Sequence, residues 1–375
     1  MVQKIGISTL FLKTAGIGGT EHMLHGLLTG LVQLPDIELT IFFNPDLDDW
    51  FAPFRANYRA KLVPVKILGN RFLSEFIQIP ILAKQYRLDA MIFPNYFTPL
   101  IPNIPCITVI HDLNYLYFPI VVSPIKRWWL RCAHLMTLKL ARKVIAISEF
   151  VRQDILQTYR VSDPTHIVTI PNPVNWSRFT VSQAPRCNLS KKFILSVAYH
   201  YRHKNLSTLI IAFAQLLPDF PDLQLVLVGQ LAKHIAGIRT TPTDDIPALV
   251  TTLNLTEQII ITGYVSDAEL TWYYQQATVF AFPSVFEGFG LPPVEALGMG
   301  LPVVTTNCPA IPEATLGIAQ YVSDPYDPRA WAECLRQVLV RPSAFTPSAD
   351  MTAKIRQIYD PRTIAQQYLQ LCRGE

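Results

Sequence analysis

Short, almost uninterrupted apolar runs recur along the chain. Each is followed by a polar or glycine-rich turn and then by a longer segment of mixed character. In the first half the runs are Ile5–Leu10, Leu39–Phe43, Ala90–Phe93, Cys106–Ile110, Lys143–Ile147 and Val168–Ile170. Apolar runs of this length, bounded by turn residues, predict buried strands. Between them, the turn Ala15-Gly16-Ile17-Gly18-Gly19-Thr20-Glu21 opens a helix to about Leu34, and Ser123–Leu140 reads as a long helix. Ser148-Glu149-Phe150 opens another, with Ser148 placed to cap it. Strands alternating with helices predict a parallel sheet covered on both faces.

The pattern breaks at Pro171-Asn172-Pro173-Val174-Asn175 and stays polar and irregular to Ser190. It restarts with strand Phe193–Val197, helix Leu206–Leu217, strand Gln224–Val228, a Thr-, Asp- and Pro-rich loop from Arg239 to Pro247, strand Gln258–Thr262 and helix Asp267–Gln276. The run Ala277–Phe282 follows, and Pro283 ends it. Leu301-Pro302-Val303-Val304-Thr305 starts a further strand, and Pro361–Cys372 forms a last helix. The expected organisation is a first α/β domain over residues 1–175, a linker over 176–190, a second α/β domain over 191–358 and a closing segment over 359–375. In doubly wound sheets ligands bind at the carboxyl ends of the strands, so candidate sites are sought in the loops that follow them.

Composition adjusts this picture modestly. At 375 residues the chain has room for two or three domains and large cores. A net charge of +4 is too small to point to nucleic acid. Charged residues make up only 16%, a low figure that hints at a membrane or partner surface. The six cysteines form no C-x-x-C pair, so neither a zinc ribbon nor a disulfide scaffold is indicated, and reduced thiols in a cytoplasmic setting are expected. No apolar run approaches the ~20 residues of a membrane span. Ile5–Leu12 could mimic a short signal core, but Lys13 and a glycine-rich loop follow where a cleavage site would stand, which favours a first strand.

The stretch after Phe282 carries the most chemistry. Gly288 and Gly290 permit a tight loop with close backbone approach to a ligand, and Pro292 and Pro293 suit a first helical turn. That helix start would turn its free N–H groups toward the loop and favour an anion such as phosphate. Glu287 in the loop and Glu295 about one turn into the helix could each accept hydroxyl groups of a sugar.

This run, with two Glu separated by seven residues around Gly288-Phe289-Gly290-Leu291-Pro292, resembles the signature of the family-four glycosyltransferases. Further matches are Gly18-Gly19, His111-Asp112, Ser148-Glu149-Phe150, Pro171-Asn172-Pro173, Lys204-Asn205 and the stretch from Gly263 through Pro312-Glu313. The resemblance implies the GT-B fold, two Rossmann-like domains facing across a cleft, with the last helix crossing back to the first. It implies transfer of a sugar from a nucleotide-diphosphate donor to a hydroxyl of a glycan or lipid-linked acceptor, with retention of configuration. Glu287 would hold the transferred sugar and Glu295 the ribose. Gly288, Phe289, Gly290, Leu291, the Gly18-Gly19 turn, Lys204 and Arg202 would hold the diphosphate side, and His111 would lie beside the donor sugar. Arg202 departs from the commoner family pattern, in which the Arg follows a Gly at the strand end; here Ala198 and Tyr199 stand in those places. An Arg-x-His-Lys-Asn run is similar to that of mannosyltransferase-like members.

Other features fit less well. Gly16-x-Gly18-Gly19-x-Glu21 fails the dinucleotide fingerprint, because Glu21 stands where the third Gly belongs. His22 and His25 share a predicted helix face but no third metal ligand is apparent. Asp46-Leu47-Asp48 spells an Asp-x-Asp metal motif, yet lies in an acidic loop beside Asp49 and Trp50 and reads as solvated. With cations already present for the diphosphate, neither metal nor other cofactor is expected. The basic, aromatic helix start Ile125-Lys126-Arg127-Trp128-Trp129-Leu130-Arg131 is read equally as an anionic-membrane contact, which would make the protein peripheral on the inner face, or as core. Donor ligands from both halves predict cleft closure on binding. Two alternatives remain open: a catalytically idle scaffold of this fold, and a nucleotide-sugar epimerase.

Overall fold

The computed structural model describes residues 2–12, 18–57, 59–100, 104–118, 122–186, 189–230 and 245–374. Gly16, Cys187 and most of the loop Arg239–Pro247 lie outside the described residues. The chain forms two compact units, one of Met1–Asn175 with Tyr359–Glu375 and one of Trp176–Ile358.

The first unit is built on seven strands: β1 (Gln3–Ser8), β2 (Ile37–Phe43), β3 (Ala60–Pro64), β4 (Ala90–Phe93), β5 (Cys106–Ile110), β6 (Lys143–Ala146) and β7 (Ile167–Thr169). Their order is β3-β2-β1-β4-β5-β6-β7 and every pair is parallel. The central strands are apolar at consecutive positions because both faces are covered: Ile5, Ile7, Ile92, Ile107 and Val109 are all fully buried. Strand order reverses between β1 and β4, where Ile5 pairs with Leu39 on one side and Ala90 on the other. The C-terminal helix Pro361–Arg373 belongs to this unit. It packs against helix Gly19–Leu31 so closely that a Cβ on Gly30 would lie 1.9 Å from the Pro361 carbonyl oxygen.

The second unit repeats the plan with six strands: β8 (Phe193–Val197), β9 (Gln224–Val228), β10 (Ile259–Gly263), β11 (Val279–Phe282), β12 (Val303–Thr306) and β13 (Gln320–Val322). Their order is β10-β9-β8-β11-β12-β13, again parallel, with the reversal between β8 and β11. One face is closed by helices Leu206–Ala214 and Pro328–Val340, which bury Leu209, Phe213, Trp331 and Leu335.

Two expectations change. The stretch 176–190, expected as a linker, counts with the second unit and begins with a one-turn 3-10 helix, Trp176–Phe179. Aromatic packing draws it in: Phe179 meets Tyr274 at 5.7 Å, and Trp176 fills the space that a side chain at Gly298 would need. The helix from Leu206 stops at Ala214, because residues 215–219 turn toward β9.

Candidate donor and acceptor sites at the strand ends

In the second unit, the loop after β8 ends in the short turn Arg202–Lys204 and then Asn205, which is left-handed (φ +52°). Asn tolerates that conformation better than most residues. Its side chain holds the bend, donating to the Pro325 carbonyl at 2.7 Å and accepting from the Thr208 hydroxyl at 2.7 Å. The loop after β11 is tied to the same turn: the Val285 amide and the Ser284 hydroxyl both donate to the His203 carbonyl, at 2.9 and 3.2 Å. These ties bring the Lys204 ammonium onto the Glu287 carboxylate as an ion pair, with both side chains mostly shielded. The ammonium also lies 5.4 Å from the Phe282 ring centre. Sequence reading gave Lys204 and Glu287 different ligands; the fold makes them partners.

Gly290 precedes helix Leu291–Gly298 with φ +94°, and a Cβ there would sit 2.4 Å from the Ile311 Cδ1. Glycine is therefore required twice over, by conformation and by space. Gly288, Phe289 and Leu291 are buried around this turn. Arg202 is exposed and its side chain makes no hydrogen bond or ion pair among the described residues. A guanidinium so placed is able to grip phosphate oxygens through two bonds, while Lys204 supplies a point charge.

Glu295 has partners of its own within the unit. The residue is 5% exposed and each carboxylate oxygen has one donor within the unit. Tyr274 donates to one at 3.0 Å and Arg178 to the other at 3.3 Å, while Arg178 also forks onto Asp267 at 2.7 and 3.1 Å. Burial raises the Glu295 pKa, and Arg178 and Tyr274 oppose that shift. On helix Leu291–Gly298, one turn past Gly290, Glu295 meets Arg178 of the 3-10 turn Trp176–Phe179 and Tyr274 of helix Asp267–Gln276. Each oxygen keeps further acceptor capacity that a ribose hydroxyl could use. Sequence reading missed Arg178, Asp267 and Tyr274; the available signal was a lone Arg set between Trp176 and Phe179 in a stretch taken for a linker.

In the first unit, His111 follows β5 directly. Its Nε2 lies 2.7 Å from the Pro94 carbonyl oxygen, an acceptor, so Nε2 carries the hydrogen. Burial lowers its pKa, with the Pro94 bond opposing, and the ring is neutral near pH 7. Nδ1 is then a lone-pair acceptor, able to take a hydroxyl proton but not to donate one. At the start of helix Gly19–Leu31, the Gly18 amide donates to the Glu21 carboxylate at 3.0 Å. The Gly18 N–H expected for phosphate is thus engaged by Glu21, and Gly19 is the exposed member of the pair. Burial pushes the Glu21 pKa up to about 7. Among the described residues no three His, Cys, Asp or Glu side chains gather where they could hold a metal ion. Asp48 of the Asp-x-Asp run pairs with Arg55, and His25 lies 3.0 Å from the Asn175 amide nitrogen.

The basic aromatic helix, Pro124–Leu140, has one packed side and one exposed side. Trp129 joins a ring cluster with Phe72, Phe97 and Tyr96. Ile125 and Trp128 are 81% and 68% exposed and, with Leu135, form an outward apolar stripe beside exposed Lys126, Arg131 and Lys139. No helix among the described residues is long and apolar enough to cross a membrane.

Residues 177–357 match the family model "Glycosyl transferases group 1", and residues 17–178 match "Glycosyltransferase Family 4". The O-antigen chain mannosyltransferase RfbU of Salmonella typhimurium is 28% identical over 273 residues, 73% of this chain and 71% of that protein. O-antigen chain mannosyltransferase B of Escherichia coli is 27% identical over 62% of this chain and 61% of its own length. Among solved structures, sucrose-phosphate synthase from Thermosynechococcus elongatus superposes with a TM-score of 0.75 at 19% identity, covering 99% of this chain and 98% of that one, which shows the shared GT-B fold.

Proposed function

We propose, from the premise that this chain belongs to the family-four glycosyltransferases of group 1, that it transfers mannose from a nucleotide-diphosphate donor to a hydroxyl of a growing glycan, with retention. The observation that carries this reading is the Lys204–Glu287 pair, held by two strand-end loops beside a glycine-started helix and an exposed Arg202. Mannose and a polysaccharide acceptor are suggested by the names of the relatives.

As the donor bond breaks, negative charge grows on the leaving diphosphate and positive charge on the sugar. Lys204, Arg202 and the start of helix Leu291–Gly298 are suited to the first, because preorganised cations and amides stabilise charge at no reorganisation cost. Glu287 is suited to sugar hydroxyls and to the developing positive charge. Its pairing with Lys204 keeps the ammonium from swinging into solvent until a phosphate competes for it. The acceptor proton then passes to the leaving phosphate on the same face, which requires no separate base. Glu295 is a positioning residue in this scheme: through Arg178 and Tyr274 it fixes the helix that presents the loop. His111, with Nδ1 as acceptor, orients a hydroxyl in the first unit. The exposed Ile125 and Trp128 with their basic neighbours suit an anionic lipid surface, where a lipid-linked glycan would be met.

Incubation with GDP-mannose, UDP-glucose, UDP-galactose and UDP-N-acetylglucosamine, followed by thermal shift and nucleotide release, tests this. Stabilisation and turnover by one of them, GDP-mannose first, are expected. Turnover of none would leave an idle scaffold, and conversion of one nucleotide sugar to its epimer without release would identify an epimerase.

A further inference from the structure

A cluster that none of the roles above uses lies where the first sheet reverses its strand order. β1 ends at Ser8, and β4, its neighbour across the reversal, ends at Phe93. Ligands of doubly wound sheets settle in the crevice beyond such strand ends. Over this place runs the helical segment from Arg71 to Gln85, whose middle turn, Ser74–Gln78, is a π-helix. Single π turns inside α-helices are frequent at functional sites.

Glu75 sits in that turn with 4% of its surface exposed. One carboxylate oxygen accepts a long hydrogen bond of 3.4 Å from the Ser8 hydroxyl; the other accepts none among the described residues. Arg71, one turn earlier, acts on its charge but lies beyond ion-pair distance, and instead donates to the Tyr96 hydroxyl at 3.3 Å. Tyr96 stands three residues past the end of β4. A carboxylate, a guanidinium and two hydroxyls therefore converge from the end of β1, the loop after β4 and the π turn. Ring contacts account for Tyr96, beside Trp129 and His134, and for Arg71 over Phe72, but not for the Glu75 carboxylate. A buried carboxylate with a single weak partner destabilises a fold, and an apolar residue or Gln would serve the core better.

The charge pattern selects the ligand. A phosphate would be drawn by Arg71 and repelled by Glu75, and an ammonium would meet the reverse. A neutral ring with several hydroxyls satisfies all four groups, donating to Glu75 and accepting from Arg71 and Tyr96. We propose that Glu75, Arg71, Tyr96 and Ser8 form a subsite for a sugar ring of the acceptor. The subsite deepens the proposed function and rests on the first unit being the acceptor side. Burial lifts the Glu75 carboxyl to about 7 against the pull of Arg71, so near neutrality it exchanges between accepting and donating hydrogen bonds with hydroxyls.

Saturation-transfer NMR of the full chain with the methyl glycosides of mannose, galactose, glucose and N-acetylglucosamine tests the subsite, alongside Glu75→Gln and Arg71→Met. At least one glycoside should bind the unaltered protein, and each variant should weaken it about tenfold, the usual worth of a hydrogen bond to a charged group. Inorganic phosphate should not compete. Glu75→Gln should melt no lower than the parent, which separates lost recognition from lost folding. Binding of no glycoside, undiminished binding by both variants, or displacement by phosphate would overturn the proposal. Release of nucleotide from GDP-mannose, measured on the same samples, reports on the glycosyltransferase reading alone. Turnover without glycoside binding sinks only the subsite.

Discussion

The four carboxylates of interest show how burial and partners divide labour among one residue type. Glu287 pairs with Lys204 at a loop, Glu295 is locked between Tyr274 and Arg178, Glu21 caps a helix and Glu75 is nearly without partners. The sequence spacing marked Glu287 and Glu295 as a pair, but spacing does not report the partners, Arg178 and Tyr274, that the fold gives the second. Glu295→Gln keeps the shape of a side chain that two donors need. It leaves Arg178 with Asp267 as its one charged partner, so it should cost about 1.5–3 kcal/mol of stability, the range for hydrogen bonds to charged groups, or several degrees in melting temperature. Nucleotide-diphosphate affinity should change little. An unchanged melting temperature with a much weakened nucleotide would restore the ribose role. Glu75 supplies a prediction of opposite sign. Its folded-state pKa, about 7, stands above the ordinary 4.5, so the folded chain holds the proton longer than the unfolded one. Stability contributed by this group is therefore present below about 4.5 and lost as pH rises to 7. Glu75→Gln should melt at about the same temperature as the parent at pH 4 and higher at pH 8; a variant matching the parent at both would contradict this.

At the scale of elements, the strands between Ala90 and Ile110 and at Phe193–Val197, Gln224–Val228 and the helix Asp267–Gln276 were legible with the bounds observed, because short uninterrupted apolar runs bounded by turn residues announce the strands. β3 and β13 were not: an edge strand such as Ala60–Pro64 alternates apolar and polar residues over a few positions and carries no run to find. The helical segment from Arg71 to Gln85 was missed because its apolar residues lie on two faces. Phe76 packs on Phe97, while Leu73, Ile77 and Ile81 face outward at spacing four. Helix Pro124–Leu140 is split in the same way, Trp129 inward and Trp128 outward, which is why its sequence suited core and membrane alike. If the outward stripe meets lipid, the double change Ile125→Ser with Trp128→Ser removes two side chains worth roughly 1.5–3 kcal/mol each when buried. Sedimentation with vesicles of phosphatidylethanolamine and phosphatidylglycerol should then show binding fall at least about tenfold. Equal binding by the two proteins would leave the stripe without this role.

At the scale of the whole molecule, the two parallel sheets and the return of the last helix to the first unit make the GT-B plan, and the strand-end rule directs attention to the loops where the candidate residues occur. Catalysis is assigned to one pair, Lys204 and Glu287, brought together from two of those loops. Nucleotide release from the donor, followed at steady state in the presence of a chelator, tests it most directly. The parent should turn over fully without divalent metal, its diphosphate charge being met by Lys204 and Arg202. Glu287→Gln should lower kcat about a hundredfold, equivalent to about 2.7 kcal/mol of transition-state stabilisation. Affinity for the free nucleotide diphosphate should hold or tighten, since Lys204 no longer has a carboxylate competing with phosphate. A chelated enzyme revived only by manganese or magnesium, or a Glu287→Gln enzyme with unaltered kcat, would contradict the account.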